Sequence, residues 1–302
     1  MLVSRRRFTW SDVHVERTIV RQPSLLVKVV GTRGVITEDF VWERARSWSV
    51  VPDWPCVGVP VRGHGIMRAG EHVMPMQRGW LGFVRHGAKF RARTEAADAF
   101  GVFMQWDPSV FGAPPGGEEM MRDAIGSAEI DLFARVASSI SSPETGHDRV
   151  AANVAELIRL FSSRGFFGAQ ALDAIEPSLV APPPAPRIDR IGQAIDAALS
   201  RPGSRPMVVD LSAALGCSER QARYLVREYA GAYALQGVRE WRTLVGTWTT
   251  YLAGLLVTAR DASTEGIARI LGYGSPNAFC HALGNAGLPP PGELRRYVVG
   301  LA

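Results

Sequence analysis

Arg220, Arg223, Tyr224 and Arg227 are the four residues of this chain whose types and spacing carry the most readable chemistry. Steps of three, one and three place them on one side of a helix. Guanidinium forks can pair with guanine O6 and N7 or with phosphate oxygens, so an arginine stripe with one interleaved tyrosine suits the DNA major groove. The opposite side of the same helix is Ala222, Leu225, Val226 and Tyr229, an apolar face that needs a core beneath it. A solvated amphipathic helix would show the same pattern, so the surrounding elements decide between the two readings.

Those elements have helix-turn-helix spacing. Residues 209–228, VDLSAALGCSERQARYLVRE, read as a short apolar helix, a Gly216-Cys217-Ser218 turn and a second helix. Ser218 suits an N-cap, and Gln221 three positions later completes a capping box. A second unit of similar design follows at 263–287, STEGIARILGYGSPNAFCHALGNAG. There Ser263 can cap a helix through Leu271, Gly272 supplies the turn, and Ser275-Pro276 places a cap and an N1 proline at the next helix.

Between the units, Val238, Trp241, Val245, Trp248, Leu252, Leu255 and Ala259 recur at steps of three and four, which predicts a long amphipathic helix. Gly237, Gly246 and Gly254 each weaken it by about 1 kcal/mol relative to alanine. A helix over 235–259 would be about 37 Å long. One turn of B-DNA is about 34 Å, so such a spacer would set two recognition helices into successive major grooves.

Two helix-turn-helix units joined by a long helix resemble the DNA-binding domain of the AraC/XylS family of transcription regulators. The resemblance covers about 188–296 and is carried by LSAALGCSERQARYLVREYAG and GIARILGYGSPNAFCHALGNAGLPPPGELRR. In the second piece Ile267-Ala268, Gly272-Tyr273, Pro276, Phe279, Gly287, Pro290 or Pro291, and Arg295 fall where the family signature expects them. The resemblance implies that the first recognition helix reads bases with Arg220, Arg223 and Tyr224, with Gln221 nearby. It implies that the second uses Asn277, Ala278, Cys280 and His281. Arg227, a turn further along the first helix, is placed to meet phosphate.

The chain also departs from the family pattern. Ser212 stands where alanine is usual, Ala222 replaces the usual leucine of the first recognition helix, and Thr249 replaces the customary arginine of the spacer. His281, Gly284 and Asn285 stand where basic residues are common. The second recognition helix therefore holds no permanent positive charge, and its share of phosphate affinity is expected to be small.

Composition agrees with this reading without compelling it. The chain has 302 residues and a formal charge of +5, carried almost entirely by arginine, since Lys28 and Lys89 are its only lysines. Residues 188–302 hold 12 arginines and 9 acids, a net +3, so the position of the arginines matters more than bulk charge. Cys56, Cys217 and Cys280 form neither zinc spacing nor a disulfide framework, which suits a reducing cytoplasm. Ser4-Arg5-Arg6-Arg7-Phe8 resembles a twin-arginine export motif, but Asp12, His14, Glu16 and Arg17 break the apolar stretch that must follow it. No segment approaches the roughly 18 apolar residues of a membrane span.

Five prolines within 175–187, IEPSLVAPPPAPR, predict an extended linker. The expected organisation is α+β with two domains. Residues 1–174 form a β-barrel or jelly roll with two following helices, 175–187 the linker, and 188–302 an all-α domain with two helix-turn-helix units. The strand reading rests on the runs SLLVKVVGTRGVITEDFVWERA, HVMPMQRGWLGFVRHGAKFRAR and DAFGVFMQW. The second run resembles part of the cupin-like sensor domain found in many AraC-type regulators, with Gly79, Gly82 and Gly87 as anchors. His64, Glu71, His72 and His86 do not match a cupin metal set, so neither metal nor cofactor is expected. Trp10, Trp42, Trp48, Trp54, Trp80 and Trp106 read as core or pocket lining. Helical patterns over 118–140 and 149–161 read as dimerisation helices or as a cap on the barrel.

The function expected is a DNA-binding transcription regulator with a sensing or dimerisation domain. Its partners would be double-stranded DNA, with a small-molecule effector and a homodimer as compatible additions, and no membrane. An enzyme is not supported, because no nucleophile–base pair or metal set is visible. A degenerate regulator working mainly through protein contact is the alternative.

Overall fold

The structure is a computed structural model that describes residues 2–10, 13–22, 24–33, 37–39, 54–69, 71–85, 90–96, 98–111, 120–167, 173, 186–201, 203, 205–232, 240–259 and 262–299. A sheet-rich N-terminal region precedes a run of helices. The strands are β1 (Leu2–Trp10), β2 (Val13–Gln22), β3 (Leu25–Arg33), β4 (Thr37–Asp39), β5 (Cys56–Arg62), β6 (His64–Ala69), β7 (His72–Gln77), β8 (Trp80–Val84), β9 (Phe90–Thr94), β10 (Asp98–Trp106) and β11 (Met120–Ala124). The helices are α1 (Pro108–Phe111), α2 (Ser127–Ser141), α3 (His147–Ser163), α4 (Pro186–Leu199), α5 (Val208–Leu215), α6 (Glu219–Ala232), α7 (Trp241–Val257), α8 (Thr264–Ile270), α9 (Pro276–Asn285) and α10 (Pro291–Val299).

Strand β10 lies inside a seven-stranded antiparallel sheet of order β1-β2-β3-β10-β5-β8-β11, with Val102 opposite Val29 on one side and Val59 on the other. Its alternate residues divide between two cores, as the two-residue period of a strand requires. Val57, Val102 and Met104 face α2 and α3, which bring Phe133, Val136, Leu157 and Phe161. Phe103 of β10, with Cys56 of β5 and Val84 of β8, faces the second sheet, β4-β9-β6-β7, which brings Met67, Met74 and Met76.

The expected barrel does not close. Among the described residues the strands pair into these two separate sheets. At the β1 edge two of the outward N–H groups are already taken: Arg5 N–H donates to Asp196 Oδ2 at 2.7 Å and Arg7 N–H to Ser200 Oγ at 3.2 Å. An edge occupied by side chains of the α4 region has no further strand to accept.

Two helix expectations also change. The helix read over 118–140 begins only at Ser127, because Met120–Ala124 pair with β8. Gly126 is extended there, and its N–H donates to Glu129 Oε2 at 2.7 Å, which starts α2 afresh. The spacer helix begins at Trp241 behind Glu240, whose φ of −140° and ψ of 152° are not helical. Its 17 residues give about 25 Å rather than about 37 Å. The helix read over 149–161 is present as α3.

A third core joins α4 to α10 and includes Phe8, Val13, Val15, Ile19 and Leu26 from β1, β2 and β3. The arginine run 5–7 lies in β1, where Arg6 is buried and packs over the Trp248 ring of α7 at 5.2 Å, while Arg17 of β2 packs over Tyr251 at 4.1 Å. Trp54 and Trp106 are buried, whereas Trp10 and Trp80 are half-buried. Trp42, Trp48, His86 and Gly87 lie outside the described residues, as do 174–185 of the Pro-rich segment. Pro186 and Arg187 already belong to α4.

Candidate nucleic-acid interface

Helix α5 ends at Gly216, whose φ of +63° is the left-handed conformation that glycine adopts without strain. From that turn the Gly216 and Cys217 N–H groups donate back to Ala213 O at 3.2 Å and Ser212 O at 3.0 Å. The chain then turns into α6, where Ser218 Oγ accepts from the Gln221 N–H at 3.3 Å. This is the cap expected from the sequence. The return bond from the Gln221 side chain is not formed among the described residues. A carboxylate cap of that kind stands instead at the start of α5, where the Met207 N–H donates to Asp210 Oδ2 at 2.6 Å.

Ala222, Leu225, Val226 and Tyr229 are buried, and Arg220, Gln221, Arg223, Tyr224 and Arg227 are exposed. Tyr224 is 62% exposed, unusual for a large aromatic side chain. Helix α6 is seated firmly from behind. A Cβ added to Gly192 of α4 would come within 3.1 Å of the Tyr229 ring, and Arg187 of α4 pairs with Glu228 at 3.0 Å. Arg223 is held by Glu219 of the same helix at 2.9 Å. Arg220 and Arg227 form no ion pair among the described residues.

The second pair of helices is built alike. Ser263 Oγ accepts from the Gly266 N–H at 2.9 Å and Ser275 Oγ from the Ala278 N–H at 3.1 Å, while Gly272 turns the chain at φ +75°. Helix α9 buries Phe279 and Leu283 and exposes Asn277, Ala278, His281, Gly284 and Asn285; Cys280 is half-buried. Arg295 donates to Val257 O at 3.1 Å and also to Ala262 O, so it satisfies a carbonyl at the end of α7 and one just before α8. Thr249 is buried within α7.

Sequence reasoning missed two arginines. A cleft of about 450 Å³ opens beside α6, with Arg205, Arg223, Arg227 and Arg242 among its walls and Glu240 as its acid. The Trp241 indole N–H donates to Pro206 O at 3.0 Å and ties the start of α7 to the segment leading into α5. Arg205 lies over the ring of Tyr273, 5.8 Å away, in the turn between α8 and α9. Burial pushes the Tyr273 phenol up, and Arg205 opposes that shift. Neither arginine falls within a helical stripe, so periodicity gave no signal for them.

In the N-terminal region, His64, Glu71 and His72 are exposed, and among the described residues no group of three His, Cys, Asp or Glu could hold a metal ion. No helix among those residues is long and apolar enough to cross a membrane.

No family model and no curated protein matches the chain. Among solved structures, an apo form of ToxT from Vibrio cholerae overlaps 91% of this chain and 98% of its own at 10% identity and a TM-score of 0.35. The AraC-like transcriptional activator CuxR overlaps 77% of this chain and 78% of its own at 15% identity and 0.28. AerE from Microcystis aeruginosa overlaps 40% of this chain and 52% of its own at 6% identity and 0.29. Similarity at this level assigns neither family nor function.

Proposed function

We propose that the chain is a transcription regulator that binds double-stranded DNA through α6, with α9 as a weaker second recognition helix. The observation that carries this is the presentation of Arg220, Arg223, Tyr224 and Arg227 on the exposed side of a capped helix whose other side is fully buried. A cationic stripe on a rigid, pre-formed helix loses little entropy on entering a groove. Residues 188–302 act as the DNA-binding domain in this reading, and the N-terminal sheets act in sensing or dimerisation.

The sensing role draws on the cleft between the two sheets, which Met67, Met76, Phe100 and Phe103 line together with Arg62 and His64. Its free volume of about 80 Å³ is below the roughly 300–1,000 Å³ of ordinary ligand pockets, so an effector would have to part the sheets. Helices α2 and α3 already bury one face on the seven-stranded sheet, which favours capping over dimerisation for that face.

One observation favours the second reading, a regulator that works mainly through protein contact. Helix α9 exposes no side chain with a permanent charge. Selection of a randomised duplex library with the full chain decides between them. Enrichment of a shared motif supports DNA recognition, and recovery of unenriched sequence sinks it.

A further inference from the structure

The cleft beside α6 is built from three separate pieces of chain. Arg205 comes from the segment before α5, Arg223 and Arg227 from α6, and Arg242 from the first turn of α7. All four arginines are exposed, and among the described residues Glu240 is the only acid in the lining. Arg223 is engaged with Glu219, whereas Arg205, Arg227 and Arg242 have no ion pair among the described residues. Gathering more cations than acids costs self-repulsion in the free protein, and a polyanion in the cleft would relieve it. The walls are also fixed: the Trp241–Pro206 bond holds α7 against the segment before α5, and Arg205 rests on Tyr273 of the second pair of helices.

The position of the cleft determines what can lie in it. Arg223 and Arg227 belong both to the exposed stripe of α6 and to the cleft wall. A duplex that takes α6 into its major groove, about 12 Å wide, must therefore bring one bordering phosphate strand to the cleft. From there Arg205 leads toward α8 and α9, the direction in which the same backbone continues to the next groove. We propose that this cleft holds the sugar–phosphate backbone flanking the groove that α6 enters, with Arg205 and Arg242 gripping phosphates from opposite walls and Arg227 between them. Arg220, Arg223 and Tyr224 are left to the bases. The assignment rests on the DNA-binding reading and adds to it two phosphate-contacting residues outside both helix pairs.

The test uses the full chain, the duplex recovered by library selection and a scrambled duplex of equal length. Arg205→Ala, Arg242→Ala, the corresponding lysine variants and Arg220→Ala are titrated across a range of salt. Each alanine variant at 205 or 242 should weaken both duplexes by the same factor and reduce the log–log salt slope by about 0.9 per phosphate lost. Lysine, which keeps the charge, should restore the slope. Arg220→Ala should weaken the selected duplex more than the scrambled one. Unchanged affinity and slope for the 205 and 242 variants, with Arg220→Ala still impaired, overturns the cleft assignment and leaves DNA recognition standing. No motif and no salt-dependent binding by the unaltered chain overturns both. A poly-glutamate peptide that binds the cleft while duplex binding ignores these two arginines would give the cleft to an acidic protein partner and overturn the proposal.

Discussion

Arg6 and Asp196, 190 positions apart, form a buried ion pair with Nε 2.9 Å from Oδ1. The same carboxylate accepts from Ser4 Oγ at 2.8 Å and from the Arg5 N–H at 2.7 Å, so the first strand of the sheet and the first helix after the Pro-rich segment share one acid. Removing a single partner would leave the other charge in an apolar core. Asp196→Ala should destabilise the chain by about 3–5 kcal/mol, and a double replacement by Leu at 196 and Met at 6 should cost less than the single change. Urea unfolding of the parent chain and the two variants checks this, and a double variant less stable than Asp196→Ala would refute it.

Two carboxyls give stability opposite dependences on pH. Arg164 holds Glu129 below the usual glutamate range through bonds of 2.6 and 2.7 Å, so the stability from this pair is present above that range and lost as pH falls through the lowered value. Burial raises Asp196 above the usual aspartate range, with Arg6 opposing. Its linked stability is full below that range and declines as pH rises through the raised value. Glu129→Gln should therefore flatten the acid limb of the melting-temperature profile, and Asp196→Asn the limb above it. Identical profiles for both variants and the parent would show that neither pair is linked to folding.

The two candidate recognition helices should respond unequally. Arg220→Ala should cost about 1–3 kcal/mol on a selected duplex, roughly ten- to a hundred-fold in affinity, with less effect on a scrambled one. Asn277→Ala and His281→Ala should each cost less. Glu219→Ala frees Arg223 from its 2.9 Å partner and should tighten binding to both duplexes. Titration of each variant reads the ranking, and essential Asn277 and His281 beside a neutral Arg220 would invert it.

Gly65 of β6 and Gly82 of β8 differ in what surrounds them. A Cβ at Gly65 would fall 2.2 Å from the backbone oxygen of Arg93, within the β6–β9 pairing, while one at Gly82 would meet the flexible end of Met76 at 2.7 Å. Backbone cannot yield as a methionine can. Gly65→Ala should lower the thermal midpoint more than Gly82→Ala, and the reverse order would be inconsistent with this packing.

The shared core also governs how the chain can be divided. Phe8, Val15 and Ile19 pack with Ile195, Trp248 and Leu252. Expressed as separate chains, 1–180 and 181–302 should purify together, and the second alone should melt lower than the pair. Independent migration on gel filtration, each piece folded, would show that this core does not bind the halves.

Much of the candidate interface was legible because it is local. The Ser218 and Ser275 caps, the Gly216 and Gly272 turns and the buried face of α6 are each set by residues within four positions of one another. The missing parts are those fixed at long range. Met121 and Ile125 keep helical spacing, yet β8 recruits the strand ending at Ala124, a pairing that no local period encodes. Arg205 and Arg242 line one cleft, whose sides are tied where Trp241 reaches Pro206 across 35 positions. The arginines at 5–7 are neighbours in sequence, but alternation in β1 sends Arg6 inward to Asp196 and leaves Arg7 exposed.

An open sheet edge is a template on which a second molecule can add a strand. Strand β1 is such an edge, and its outward amides at Arg5 and Arg7 are spent on Asp196 and Ser200. These two side chains therefore act as gatekeepers against self-association as well as joining the two regions. A chain that loses them exposes two unsatisfied donors beside Phe8, and the consequence is colloidal: precipitation or fibre growth on storage, at concentrations where the parent chain stays dispersed.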